Sequence, residues 1–227
     1  LYQLYIANKN YSSWSLRPWV LMRELRIPFE ERLLPFGDET LWQPFRALSA
    51  AAKVPCLVDG TQVIWESLSI VEYLAERHAG VWPEDRVARA WARSAAAEMH
   101  AGFTELRAVC SMNCGVKVRL HEVGQTLAHD VGRLDALWAE GLARFGGPFL
   151  AGSRPSAVDA FYAPVAFRIQ TYSLALGTDA AAYGARLLEL PSMRAWYEAA
   201  LLETFRDEPH ELDLRRVGTV TADLRAG

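Results

Sequence analysis

Tyr11-Ser12-Ser13-Trp14-Ser15-Leu16-Arg17-Pro18 is the stretch that decides the fold. It stands where an apolar strand, Tyr2 to Ala7, gives way to a helix expected from about Ser15 to Arg26, with apolar Leu16, Trp19, Val20 and Leu21 and charged Arg23, Glu24 and Arg26. Pro18 falls in the first turn of that helix, where a missing N–H costs little. The free N–H groups and the positive dipole end of such a helix point at the serines, an arrangement that suits a thiolate or a carboxylate. Serine is also a favoured helix cap, and the segment by itself favours the cap.

Outward from this turn, strand and helix signals alternate. After the first helix come a short strand near Glu30 to Leu34, an irregular helical stretch from Glu39 to Leu48 and a strand from Pro55 to Val58. A hairpin through Asp59-Gly60 leads into Gln62 to Trp65, and a helix follows from Leu68 to His78. The order βαβαββα defines an α/β domain over residues 1–80, small for independent stability but adequate with one face covered. Gly80-Val81-Trp82-Pro83 opens a linker, placed at 81–85, whose Trp82 is suited to burial between two halves. Residues 86–227 then show helical signals only, so an all-helical domain is expected. Trp91, Ala95, Met99, Phe103, Leu106 and Cys110 recur at helical spacing, as do Val123, Leu127, Val131, Leu134, Trp138, Leu142 and Phe145. Ser156 to Asp159 has capping-box spacing before a third helix containing Pro164, and a fourth helix is expected from Pro191 to Leu201. The tail from Glu208 to Gly227 is polar and is expected to pack loosely.

Composition excludes several classes. With 51% hydrophobic residues, eight Trp, 22% charged residues and a net charge of -3, the chain reads as a soluble globular protein with a sizeable core. Basic and acidic residues are interspersed, so no nucleic-acid partner is expected. No apolar run approaches the roughly 20 residues that span a bilayer, and no signal peptide opens the chain, so a cytoplasmic protein without a membrane partner is expected. Cys56, Cys110 and Cys114 form an odd set without CxxC spacing, which argues against a disulfide framework. Cys110, Cys114 and His121 share helical spacing but lack a fourth ligand, so no metal is expected.

These features together resemble the glutathione transferase superfamily over nearly the whole chain. Ser12-Ser13-Trp14-Ser15-Leu16-Arg17 is similar to the active-site motif of the serine classes, zeta and tau. Lys53-Val54-Pro55 resembles the segment whose proline is cis in the thioredoxin-like half, Glu66-Ser67 the acidic-Ser pair that binds glutathione, and Ser156 to Asp159 with Pro164 the capping motif of the helical half. Two departures stand out: Trp14 replaces the cysteine of the zeta signature, and Ala50 replaces a proline ahead of Lys53. The resemblance implies a thioredoxin-like N-terminal domain, glutathione as co-substrate and a homodimer. It also implies conjugation of glutathione to a small hydrophobic electrophile, in the manner of detoxification enzymes.

The residues allow that chemistry. Ser12 and Ser15 stand where related thioredoxin-like proteins carry two redox cysteines, so hydroxyls replace the sulfurs of thiol exchange. Lowering a thiol pKa from about 8.5 by two units needs roughly 3 kcal/mol. A hydrogen bond to a charged group supplies about 1.5–3 kcal/mol, and a helix N-terminus about 0.3–1 kcal/mol. The resemblance assigns thiolate stabilisation to Ser12, with Ser13 and Ser15 as alternates or caps. It assigns glutathione binding to Lys53, Val54, Pro55, Glu66 and Ser67, of which Ser67 and Glu66 suit the γ-glutamyl carboxylate and ammonium and Val54 offers strand-like pairing. Asn10, Tyr11, Arg107, Cys110 and Asn113 are expected at the electrophile site. Glutathione-dependent isomerisation of the maleylacetoacetate isomerase type, peroxidase chemistry, ligand storage and a non-catalytic module with the same fold remain alternatives.

Overall fold

The computed structural model describes residues 1–226. Strand β1 (Tyr2–Ile6) leads through the serine turn into α1 (Ser13–Glu24), and β2 (Phe29–Leu33), α2 (Glu39–Leu48), β3 (Cys56–Asp59), β4 (Gln62–Trp65) and α3 (Ser67–Ala75) complete the first half. The sheet order is β2-β1-β3-β4, with β1 parallel to β2 and antiparallel to β3. Asp59 pairs with Gln62 across a two-residue turn in which Gly60 takes a φ of +59°, as such hairpins require.

Helix α1 is less amphipathic than its sequence suggests. Ser15 through Met22 are all buried, because α1 is covered both by its own domain and by helices of the second half. It packs on β1 and α3 and also meets two helices of the second half, α7 (Ala157–Tyr172) and α9 (Pro191–Leu201). Leu4, Ile6 and Leu57 of the sheet therefore share one core with Phe161, Trp138 and Trp196. Trp82 is buried in that core, and Val81 accepts a hydrogen bond from Ala157 N at 2.8 Å, which ties the connecting segment to α7.

The second half is built from α4 (Arg86–Ala101), α5 (Thr104–Val109), α6 (Gln125–Phe145), α7, α8 (Thr178–Leu188), α9 and α10 (Glu208–Val217). The expected first long helix is broken after Ala101. Phe103 adopts a left-handed conformation, φ 52°, and Arg107 donates to the freed carbonyls of His100 and Gly102, each at 3.2 Å. The expectation of purely helical structure also needs correcting, since β5 (Val116–Leu120) and β6 (Gly218–Asp223) form an antiparallel ribbon. Val116 and Val118 face inward while Lys117 and Arg119 are more exposed, a period of two hidden among helical signals. Nor does the tail pack loosely: Glu208 to Asp223 is helix α10 followed by β6, with Glu211 and Leu214 buried.

Helix α7 runs unbroken through Pro164 and is buried on nearly every face. Asp159 anchors its start, accepting from Ser156 N at 2.8 Å, Leu150 N at 3.1 Å and the Tyr183 hydroxyl at 2.8 Å. Removing that carboxylate strands three donors in the core. Asp159→Ala should cost about 3 kcal/mol or more of unfolding free energy in a urea titration, by the usual cost of unmet buried donors. A loss below about 0.5 kcal/mol would show that the network is not needed.

Candidate functional site

Ser12 occupies the N-cap position of α1, yet its side chain makes no capping bond. Its hydroxyl donates instead to Ser15 Oγ at 2.7 Å, and Ser15 Oγ also accepts from Ala7 N at 3.3 Å. Since a hydroxyl rotates to suit its partners, Ser12 can turn its proton outward while Ser15 donates back to it. The turn itself is fixed by Tyr11 N and Ser12 N, which both donate to Asn8 O.

Two cavities meet at this turn. The larger, about 650 Å³, has Ser12, Ser13 and Trp14 on one wall, Arg107 and Arg168 on another, and His210 with Asp213 on α10. The smaller, about 340 Å³, lies between Trp14, Pro55, Trp65, Glu66 and His100. Trp14, Lys53 and Val54 line both, so the two are continuous past the Val54–Pro55 bond, which is cis. Ser67 opens α3 just behind Glu66, and its hydroxyl is buried without a hydrogen-bond partner among the described residues.

The field at the junction is positive. The Arg17 guanidinium lies 4.1 Å from the Trp14 ring centroid and 4.9 Å from that of Phe161, and Arg107 lies 4.8 Å from Trp14 on its own account. Burial, then Arg168 and Arg107, draw the Arg17 pKa down. Arginine nevertheless stays charged inside proteins, because its intrinsic pKa exceeds 12. Arg168 is 4% exposed; its Nε donates to Cys110 O at 2.7 Å while Nη1 has no partner among the described residues. Burial lowers its pKa to about 10. His100 is likewise shifted down, by burial and then by Arg17.

Comparison with known proteins agrees with this architecture. Sequence models for the glutathione S-transferase N-terminal domain and C-terminal domain match residues 11–77 and 89–199. The chain belongs to the glutathione S-transferase superfamily. A probable maleylacetoacetate isomerase of Caenorhabditis elegans is 32% identical over 105 residues, which span 45% of this chain and 48% of that protein, less than half its length. A Burkholderia glutathione transferase homologue solved with bound glutathione has a TM-score of 0.66 at 21% identity, covering 88% of this chain and 97% of its own. A maleylacetoacetate isomerase from Methylobacterium extorquens with bound malonate and glutathione has a TM-score of 0.63 at 21% identity, covering 86% and 95%. Superfamily members use glutathione as co-substrate, and no cluster of metal-ligating side chains occurs among the described residues. No helix among them is long and apolar enough to cross a membrane.

Within this transferase fold the residues expected at the electrophile site divide. Tyr11 and Arg107 line the larger cavity. Asn10, Cys110 and Asn113 do not, and their placement there is corrected: Asn10 Nδ2 donates to Ala200 O, Asn113 Nδ2 donates to Glu211 at 3.1 Å, and Cys110 is core, with burial pushing its thiol up to about 12. Among the cavity residues not expected from sequence are Phe36, Trp42, His210 and Asp213. The one usable signal was the i, i+3 pair His210 and Asp213 in the tail.

The tail is clasped to the turn. Arg225 pairs with Glu211 through both of its terminal nitrogens, and the Tyr11 hydroxyl donates to Glu211 at 2.7 Å. Burial pushes the Glu211 carboxyl up, but hydrogen bonds from Arg225, Tyr11 and Asn113 and the Arg225 charge outweigh it and hold the pKa below the ordinary value. The Tyr11 phenol is raised by burial and by this bond, so it is no proton donor at neutral pH. A depressed carboxyl pKa gives stability that is present above the unfolded value and is lost as pH falls through the folded one. On acidification below pH 4.5, β6 amides should therefore lose hydrogen-exchange protection. Arg225→Ala should remove about 3–5 kcal/mol already at pH 7, because it leaves Glu211 unpaired; unchanged protection in both experiments would deny the clasp.

Proposed function

We propose that this protein is a glutathione transferase in which Ser12 stabilises the glutathione thiolate. The carrying observation is that the Ser12 hydroxyl, at the N-terminus of α1 and free of capping duty, lines the larger cavity just where the smaller one joins it. Glutathione lies with its cysteinyl sulfur at Ser12, its backbone paired at Val54 beside Pro55, and its γ-glutamyl end at Glu66 and Ser67. Lys53 meets the glycyl carboxylate. The unpartnered Ser67 hydroxyl supports that placement, since a buried donor without a partner is costly until a ligand satisfies it. Ser12, α1 and the Arg17 charge favour the ionised sulfur, which attacks an electrophilic carbon held in the larger cavity. Family membership supports a homodimer and a cytoplasmic setting.

A second reading, glutathione-dependent cis–trans isomerisation, is favoured by Arg107 and Arg168. A buried guanidinium with an unpartnered Nη1 on the cavity wall suits a carboxylate-bearing substrate. That the Methylobacterium relative was solved with malonate bound as well as glutathione supports an acidic ligand for this chain.

Ser12→Ala should lower kcat/KM for glutathione conjugation to chlorodinitrobenzene about 10- to 100-fold, the value of one charged hydrogen bond, while glutathione affinity stays close to wild type. If Ser13→Ala has that effect instead, the assignment of the hydroxyl is wrong. Malonate should compete with the electrophile, and Arg168→Met should weaken that competition about tenfold or more; indifference to malonate would remove the second reading.

A further inference from the structure

Helix α10 brings His210 and Asp213 to the larger cavity, and the thiolate chemistry above uses neither. The His210 ring lies against Tyr11 and Phe36, with centroid separations of 5.0 and 5.6 Å, and Nδ1 stands 2.5 Å from Asp207 Oδ2. Asp207 is itself fixed as the N-cap of α10 and accepts from His210 N at 3.4 Å. A carboxylate on Nδ1 accepts from that nitrogen and fixes the orientation of the ring. Nε2 takes part in no hydrogen bond among the described residues. The ring is therefore held by aromatic walls and a carboxylate, with its second nitrogen available to a ligand in the cavity.

We infer that His210, oriented by Asp207, is the general acid for addition of glutathione to an activated alkene. The inference rests on the thiolate reading above. The glutathione sulfur forms a bond to the β-carbon of an alkene conjugated to a carbonyl group, and the π pair moves onto the α-carbon and carbonyl oxygen as an enolate. The imidazolium Nε2–H passes its proton to the α-carbon, leaving a saturated adduct and a neutral ring. The proton that the thiol lost on binding returns to the ring through solvent, so no oxidant or reductant is needed. Without a proton donor the enolate rotates about the former double bond and expels the thiolate, releasing the trans alkene. His210 thus decides whether addition ends as a conjugate or as an isomer, and Arg168 is placed to hold a carboxylate on the same substrate.

The test is to follow monomethyl maleate and glutathione by proton NMR with the wild-type chain, His210→Gln and Asp207→Asn. Chlorodinitrobenzene conjugation, in which chloride leaves without needing a proton, is measured on the same preparations as the denominator. In His210→Gln the ratio of saturated adduct to trans ester should fall about 100-fold, within the usual value of a general acid, and the adduct rate should fall relative to aryl conjugation. Asp207→Asn should move both ratios the same way by less. A merely structural role would lower both reactions together and leave the product ratio unchanged, and either result overturns the inference. So does a wild-type enzyme that forms the glutathione thiolate, seen by its ultraviolet absorbance, yet makes no adduct from the ester. If the wild type forms no thiolate at all, the underlying reading fails first and takes this inference with it.

Discussion

Everything in this molecule depends on the burial of α1 between two domains. A helix with one partner needs one apolar stripe, whereas α1 is covered from Ser15 to Met22 by β1 and α3 on one side and by α7 and α9 on the other. That double contact makes one core of two halves. It also holds the first turn of the helix at the domain junction, where Ser12 and Trp14 line the larger cavity and Arg17 lies against Trp14. A helix N-terminus on a mobile surface loop would be screened by water; here the surroundings are largely protein, and a fixed dipole acts more strongly.

The same burial explains the electrostatics. Arg17 is inside because α1 is inside, and it is accommodated by aromatic faces of Trp14 and Phe161. Arg107 and Arg168 are held by backbone carbonyls at the end of α4 and on either side of α5, at His100, Gly102 and Cys110, with no carboxylate among the described residues paired to them. Three guanidinium groups without a buried counter-charge among the described residues favour an anion beside them. Under the proposed function this is what would favour an anionic peptide and the ionised form of its sulfur.

The fold was legible where the sequence pattern has a single structural reading. The Asp59-Gly60 turn, the linker at Gly80 to Pro83, the cap at Ser156 to Asp159 and the helix from Pro191 follow from local chemistry. The break at Phe103 was not legible, because the apolar spacing from Trp91 to Cys110 continues through it and the left-handed residue is a phenylalanine. The β5–β6 ribbon was missed because its two strands lie almost one hundred residues apart in sequence, and neither is long or apolar enough to call for a partner by itself. Around the site, Ser12, Lys53, Val54 and Glu66 could be located from motif order. His210 could not, since it reaches the cavity through long-range contacts that fold the tail back, among them the buried Arg225–Glu211 pair and the Tyr11–Glu211 bond, between residues whose local sequence is merely polar.

The central claim is that the α1 N-terminus with Ser12 ionises a bound thiol, and proton release measures this most directly. Glutathione should be titrated into the protein by calorimetry near neutral pH in buffers of different ionisation enthalpy, so that binding heat and protons released are obtained together. Our account predicts binding accompanied by release of close to one proton per site. Binding without proton release would contradict it, because the sulfur would then rest at Ser12 as a neutral thiol.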